Sequence, residues 1–322
     1  MKYVRNAMLI VVVCLALHYF KIVNFGQLIE LELSVILDTL LPCTLFLLMV
    51  NALAAIRWVL IVNRFLGTGI DFMDGLALTF KSGLFAYFLP GQLGSELGRV
   101  ILASRGRSPK DLNHALSAAI IDRVIALISM LLMAAIFLAW ALLRRHESVD
   151  VFVTLVGSFI LVVALVPLST KALRSVVFAL KNNRHIDYVG NILKMIKTFV
   201  IEQPVYCILL LLYSMLLNLA VAYVIYLIVS RIIHPMDFST VALMSLVSNL
   251  SSVIPITPGG VGISEIVFRE TGALVQGLSV ENLAGGYIMF RLLNISSYIF
   301  GMLLLGLARL LFQDRKRKNL AN

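Results

Sequence analysis

The sequence predicts an all-α polytopic membrane protein, with about six spanning helices plus two re-entrant half-helix hairpins in an inverted-topology repeat. Three observations predict it. Hydrophobic residues fill 60% of the 322 positions and charged residues only 14%, and the mean hydropathy is +0.97. A soluble domain of this length cannot bury so much apolar surface, so lipid must solvate most of the chain. Secondly, a PGxxG string occurs at 90–94 and again at 258–262, where composition alone predicts about 0.03 such strings. Thirdly, the Lys and Arg residues around the two copies give them opposite orientations.

Apolar runs long enough to span, roughly 20 residues, fall at 7–24, 39–63, 113–143, 150–170, 204–230 and 281–311. The first follows Lys2 and Arg5 with no small-x-small cleavage site after it, and is expected to be a retained helix. Two further zones, 72–104 and 238–276, are apolar but interrupted. The breaks are Pro90 and Gly91 in one, and Pro255, Pro258, Gly259 and Gly260 in the other. Their pieces are too short to cross alone, so each zone reads as two half-helices meeting at a break. Repeat one covers about 38–143 and repeat two about 206–311, within a single transmembrane domain over 1–322. Arg123 and Arg291 keep the 168-residue offset of the two strings, as do Ser129 and Ser297. Between the repeats lies a connector at 171–203. Its apolar residues Val189, Ile192, Leu193, Ile196, Phe199 and Val200 recur at helical spacing, with Lys194 and Lys197 on another face. That pattern suits an amphipathic helix on the inner leaflet.

Loop charges orient these elements. Lys2 and Arg5 put the N-terminus in the cytoplasm, and Glu30, Glu32 and Asp38 mark an outer segment. Arg64, Arg105, Arg107 and Lys110 bring the first hairpin in from the cytoplasm. Lys171, Arg174, Lys181 and Arg184 return the connector inside, whereas Glu270 and Glu281 bring the second hairpin in from outside. The tail bases Arg315, Lys316, Arg317 and Lys318 end in the cytoplasm. Arg144, Arg145 and His146 fall on the outer side against this scheme. The net charge of +10 thus reads as a topology signal facing anionic lipid, with no nucleic-acid partner implied.

Ionisable groups at membrane depth carry the chemistry, because each costs about 2.5–3.5 kcal/mol at mid-bilayer on insertion scales. Glu96 and Arg99 are spaced i,i+3, and Glu265 and Arg269 i,i+4, so each pair can meet on one helix face. Both follow a glycine break, where the free amides and positive dipole end of a half-helix can hold an anion such as a phosphate. Gly91, Gly94, Gly259, Gly260 and Gly262 allow that close approach. Asp122, Arg123 and Arg291 lie about ten residues into long helices. Adjacent helical residues point apart, so Asp122 and Arg123 do not pair with each other. Arginine suits phosphate, with a planar fork of donors that stays charged. Arg57 and Lys81 are weaker candidates, able to snorkel to the surface. Asp71 and Asp74 read as loop acids. Enzymatic constellations are missing: the histidines are scattered, and there is no HExxH, GxSxG or P-loop string. Cys14, Cys43 and Cys207 lack CxxC spacing and neighbouring His, so neither a disulfide framework nor a metal site is expected. No cofactor is implied.

These residues resemble the lysylphosphatidylglycerol synthase transmembrane-region family, also described as flippase-like. The resemblance rests on Pro90, Gly91, Gly94, Glu96 and Arg99 in a P-x-x-G-E-x-x-R-like segment, with Ser95 inserted before the acid. It continues through Asp122 and Arg123 in the next helix, and Pro258, Gly259, Gly260, Gly262 and Glu265 in a P-G-G-x-G-x-x-E segment. Arg291 is similar to a late-helix arginine of the family. The likeness implies a non-enzymatic protein of the bacterial cytoplasmic (inner) membrane that moves a phospholipid or lipid-linked head group between leaflets. In the synthases a separate soluble domain makes the lipid. The chain ends at Asn322 without one, so a stand-alone translocase is expected over a synthase. Arg123 and Arg291 would then bind phosphate, while Glu96 and Glu265 position them or carry a coupling proton. An ion-coupled exporter of a small solute, or a non-transporting partner of a lipid or glycan biosynthetic enzyme, are the alternatives. Cargo and oligomeric state stay open at this point.

Overall fold

The computed structural model describes residues 33–65, 69–87, 98–100, 109–144, 198–199, 201–253, 257, 259–276 and 282–321, and their regular structure is helical. Helix α1 (Leu41–Phe65) follows a π-helical turn at Ile36–Leu40. Next come α2 (Phe72–Ala86), α3 (Pro109–Arg144) and α4 (Pro204–Ile228), the last extended by a second π-helical turn at Val229–Ile233. Then follow α5 (Phe238–Ser251), α6 (Ile263–Gln276) and α7 (Leu283–Ala321).

Four segments are long and apolar enough to cross a bilayer: Ile36–Arg64, His114–Ala141, Pro204–Ile233 and Leu283–Ala308. They coincide with four of the expected spans. The spans at 7–24 and 150–170 lie outside the described residues, as do Cys14, Arg145, His146 and nearly all of the connector at 171–203.

Local chemistry fixes the ends of these helices. Pro204 at the first turn of α4 gives up an amide that no helical carbonyl would accept there. Asn63, near the end of α1, clamps the start of the next element, accepting the Ile70 amide and donating to the Ile70 carbonyl at 3.0 Å. Asp71 then caps α2, its carboxylate accepting the Met73 amide at 3.2 Å. That cap is the role of a loop acid.

Helix α3 shows why the bundle belongs in lipid. Ile120, Val124, Ile128, Leu132, Ile136 and Trp140 are all exposed, and they form one unbroken i,i+4 row along the helix. Ala115, Ala118, Ala119, Ala126, Ser129 and Ala134 are buried on the other side. Ile121, Ile125, Met133 and Leu138 are buried there as well, so the helix is apolar on both sides, and its small residues let neighbouring membrane helices pack closely.

The inner faces connect the elements crosswise. Helix α1 packs on α2, α3, α4 and α7, while α2 packs on α7 and α5 on α3. Each first half-helix therefore rests on the last long helix of the other half of the chain. Gly301 of α7 makes one such approach possible, since a Cβ there would stand 2.5 Å from the Phe80 ring of α2. Gly306, one turn further, has nothing within 4 Å. Gly301→Ala should therefore destabilise the detergent-solubilised protein by about 1–3 kcal/mol through overpacking. Gly306→Ala should be neutral or stabilising by up to about 1 kcal/mol. Thermal midpoints of the two variants check the pair, and equal midpoints would contradict the packing.

The second broken zone forms as the sequence predicts. Helices α5 and α6, each 14 residues long, pack against one another. Between them Gly259, Gly260 and Gly262 adopt φ of 60°, 72° and 92°, a left-handed region that glycine enters without penalty. Gly260 also lacks room for a side chain, because a Cβ would lie 2.8 Å from Ser252 Cβ. In the first zone α2 ends at Ala86 and helix resumes at 98–100. Pro90, Gly91, Gly94 and Glu96, like Pro258 of the second zone, lie outside the described residues.

Candidate substrate cavity

A cavity of about 240 Å³ opens between α1, α2, α3, α4, α5 and α7. Its described charged lining consists of Arg57, Arg99, Arg123, Arg291 and a single acid, Asp122. Each arginine comes from a different helical segment, so folding is what gathers them.

Arg57 projects from the middle of α1. Its Nε lies 2.9 Å from Asp122 Oδ1 and its Nη2 donates to Asp122 Oδ2 at 3.1 Å, a two-pronged ion pair. Its Nη1 donates to Ser214 Oγ of α4 at 2.7 Å. Asp122 is only 2% exposed, so the pair ties α1 to α3 within the bundle. Snorkelling of Arg57 to the surface, expected from its sequence setting, is thus corrected. A buried carboxylate on α3 offers a better partner than water at the end of a side chain, and Lys81, which lacks one, is exposed.

Arg291 projects from α7 and has three kinds of partner. Its Nε lies 2.6 Å from Glu265 Oε1. Its Nη1 donates to the Gly259 carbonyl at 2.7 Å and its Nη2 to the Gly260 carbonyl at 3.1 Å. The guanidinium also sits 5.4 Å from the centre of the Tyr287 ring, within cation–π range. Glu265 is fully buried, and its second oxygen accepts the Gly262 amide at 2.7 Å. That is the return half of a capping box, in which the acid at the third helical position satisfies the N-cap amide.

This arrangement corrects the expected Glu265–Arg269 pair. The Glu265 carboxylate faces α7 and is consumed there, while the half-exposed Arg269 pairs with Glu270, Nε donating to Oε1 at 2.9 Å. Arg269 is not among the cavity residues. Arg99, by contrast, is buried beside the cavity, where its Nε donates to Ser82 Oγ at 3.1 Å and its guanidinium lies 6.0 Å from the Trp58 ring. Arg123 lines the cavity half-buried.

Neutral polar groups complete the wall, and sequence reading missed them. Asn51 Nδ2 donates to Asn294 Oδ1 and to Ser297 Oγ, both at 2.9 Å. Asn294 Nδ2 donates to the Tyr87 hydroxyl at 3.1 Å, and the Tyr287 hydroxyl donates to Asn249 Oδ1 at 2.8 Å. Across the cavity, Asn218 Nδ2 donates to Ser129 Oγ at 2.8 Å. The signal was available: Asn51, Asn218, Asn249 and Asn294 each interrupt an apolar run, where an amide is costly unless bonded. No cluster that could hold a metal ion occurs among the described residues.

A helical bundle with lipid-facing rows and buried charges around a central cavity defines an integral, polytopic membrane protein. The profile of the family described as Lysylphosphatidylglycerol synthase TM region matches residues 6–305, and the chain belongs to that family. No curated protein and no solved structure matches the chain.

Proposed function

We propose that the protein is a flippase-like transporter of the cytoplasmic membrane, moving an anionic phospholipid or lipid-linked head group between leaflets. One observation carries this reading: four arginines and one aspartate line a cavity enclosed by helices whose outer faces are apolar. Guanidinium groups at that depth persist only where they are paired or where they serve a polar path. The outer rows would let acyl chains stay in lipid while the head group crosses the cavity. Arg123 and Arg291 bind the phosphate, Arg99 adds charge, and Glu265 positions Arg291. The segments about 38–143 and 206–311 form the two halves of an inverted repeat. Two bonds support that division. Asn51 donates to Ser297 and Asn218 to Ser129, with both the asparagines and the serines separated by the repeat offset to within one residue.

Purified protein in liposomes should accelerate transbilayer movement of an acyl-labelled anionic phospholipid. Arg123→Ala and Arg291→Ala should each slow it about tenfold or more, the loss of one charge-assisted phosphate contact. Movement no faster than in empty vesicles, with both substitutions silent in cells, would refute the reading. Uptake of a small solute without lipid movement would favour an ion-coupled exporter instead. Stable co-purification with a biosynthetic enzyme would favour a non-transporting partner.

A further inference from the structure

The Arg57–Asp122 pair breaks a correspondence between the two halves of the chain. Asn51 and Asn218 set the offset between α1 and α4 at 167 residues, and Ser129 and Ser297 set that between α3 and α7 at 168. At those offsets Ile61 corresponds to Ile228, Val62 to Val229 and Ile121 to Met289. The first of each pair is buried in an apolar cluster where α1 ends and α4 begins, the second in a cluster where α1 begins and α4 ends. Arg57, Asp122 and Ser214 do not match in this way. Their counterparts are Val224, Phe290 and Leu47, which are buried together in the second cluster. Apolar side chains thus join the helices there without any ion pair, and a buried pair is often no more stable than such packing. Holding α1 to α3 and α4 does not by itself account for Arg57.

Its guanidinium has donors to spare. Of the five N–H groups of an arginine, that of Nε and one of Nη2 face the two Asp122 oxygens, and Ser214 accepts one from Nη1. One N–H on each Nη atom is left without a partner among the described residues, on a side chain that lines the cavity. The carboxylate and the hydroxyl also fix the plane of the fork, so little freedom is lost when an anion arrives. Two donors on adjacent nitrogens suit the oxygens of a phosphate. Resting on the transport reading above, we infer that Arg57 is a further binding residue for the phosphate of the cargo, held in place by Asp122 and Ser214. The site is then one-sided: this contact lies beside the cluster where α1 ends, and apolar side chains stand at the corresponding positions beside the other.

Thermal midpoints of the detergent-solubilised protein, titrated with dioctanoylphosphatidylglycerol or with inorganic phosphate, report the affinity. Replacing both partners, Arg57→Leu with Asp122→Leu, leaves the net charge unchanged and should weaken binding about tenfold, the loss of one charge-assisted contact. Arg57→Gln with Asp122→Asn should do the same, and serves if the leucine pair does not fold. Asp122→Asn alone keeps the guanidinium and removes a carboxylate that repels phosphate, so binding should hold or tighten. If the pair were only structural, Asp122→Asn would weaken binding as much as the double variants do. That result, or double variants that bind as tightly as the parent, would overturn the inference. The transport reading would still stand wherever the liposomes show lipid movement. A tenfold loss with both probes places the recognition in the phosphate alone, and a loss with the lipid only places it in the lipid-linked head group. Either supports the inference. Failure of the parent protein to bind either probe would overturn it, and absence of lipid movement in liposomes would overturn the transport reading as well.

Discussion

Glu265→Ala should cost the protein about 3–5 kcal/mol of stability, the usual consequence of removing one partner from a buried ion pair. The reasons are specific to this carboxylate. It is fully buried, 2.6 Å from Arg291 Nε, and accepts the Gly262 amide at 2.7 Å. Its loss leaves a buried guanidinium without its counter-charge and uncaps α6 in one step. In detergent this should appear as a fall on the order of 10 °C in the thermal midpoint. Glu265→Gln keeps one acceptor oxygen, enough for the Gly262 amide or for Arg291 but not for both, and should lose less than the alanine variant. A midpoint for the alanine variant within about 2 °C of the parent would show that Arg291 does not depend on this carboxylate.

The Arg57–Asp122 pair should behave differently when both partners are removed. Arg57→Leu or Asp122→Leu alone leaves a charge on the wall of the bundle, again at a cost of several kcal/mol. The double substitution exchanges a desolvated pair for two apolar side chains, and such replacements are often neutral. A double-mutant cycle should thus report a coupling of at least about 1 kcal/mol, with the double variant more stable than either single one. Additive losses would mean that the two-pronged contact contributes nothing beyond each side chain's own packing. Transport assays on the stable double variant would then separate the pair's role in holding α1 to α3 from any role in carrying cargo.

How much of this was legible in the sequence varies with the physics involved. The spans at 39–63, 113–143, 204–230 and 281–311 were legible because lipid demands about 20 apolar residues of any crossing helix. The break between α5 and α6 was legible because Gly259, Gly260 and Gly262 have few other uses in an apolar run. Arg291 and Asp122 stood out as charges inside such runs, and both line the cavity. Partners were the illegible part. Glu265 has Arg269 one turn away, and local spacing favoured that pair, but α7 delivers Arg291 from 26 positions further along the chain. Arg57 looked peripheral for the same reason, since its carboxylate lies 65 residues away in sequence. The asparagines were overlooked because a neutral amide gives no charge signal. Their importance depends on which serine each one meets, and only packing decides that.

The contact between Gly259 and the end of α2 has a mechanical consequence. A Cβ on Gly259 would stand 3.3 Å from Tyr87 Cα, so the turn between α5 and α6 braces against the backbone where α2 terminates. Helix α7 grips both sides of this brace, Arg291 holding the Gly259 and Gly260 carbonyls and Asn294 holding the Tyr87 hydroxyl. Helix α7 therefore links the two abutting segments through side chains one turn apart, Arg291 and Asn294. Neither segment can shift alone without first breaking hydrogen bonds that α7 presents within a single turn of its length.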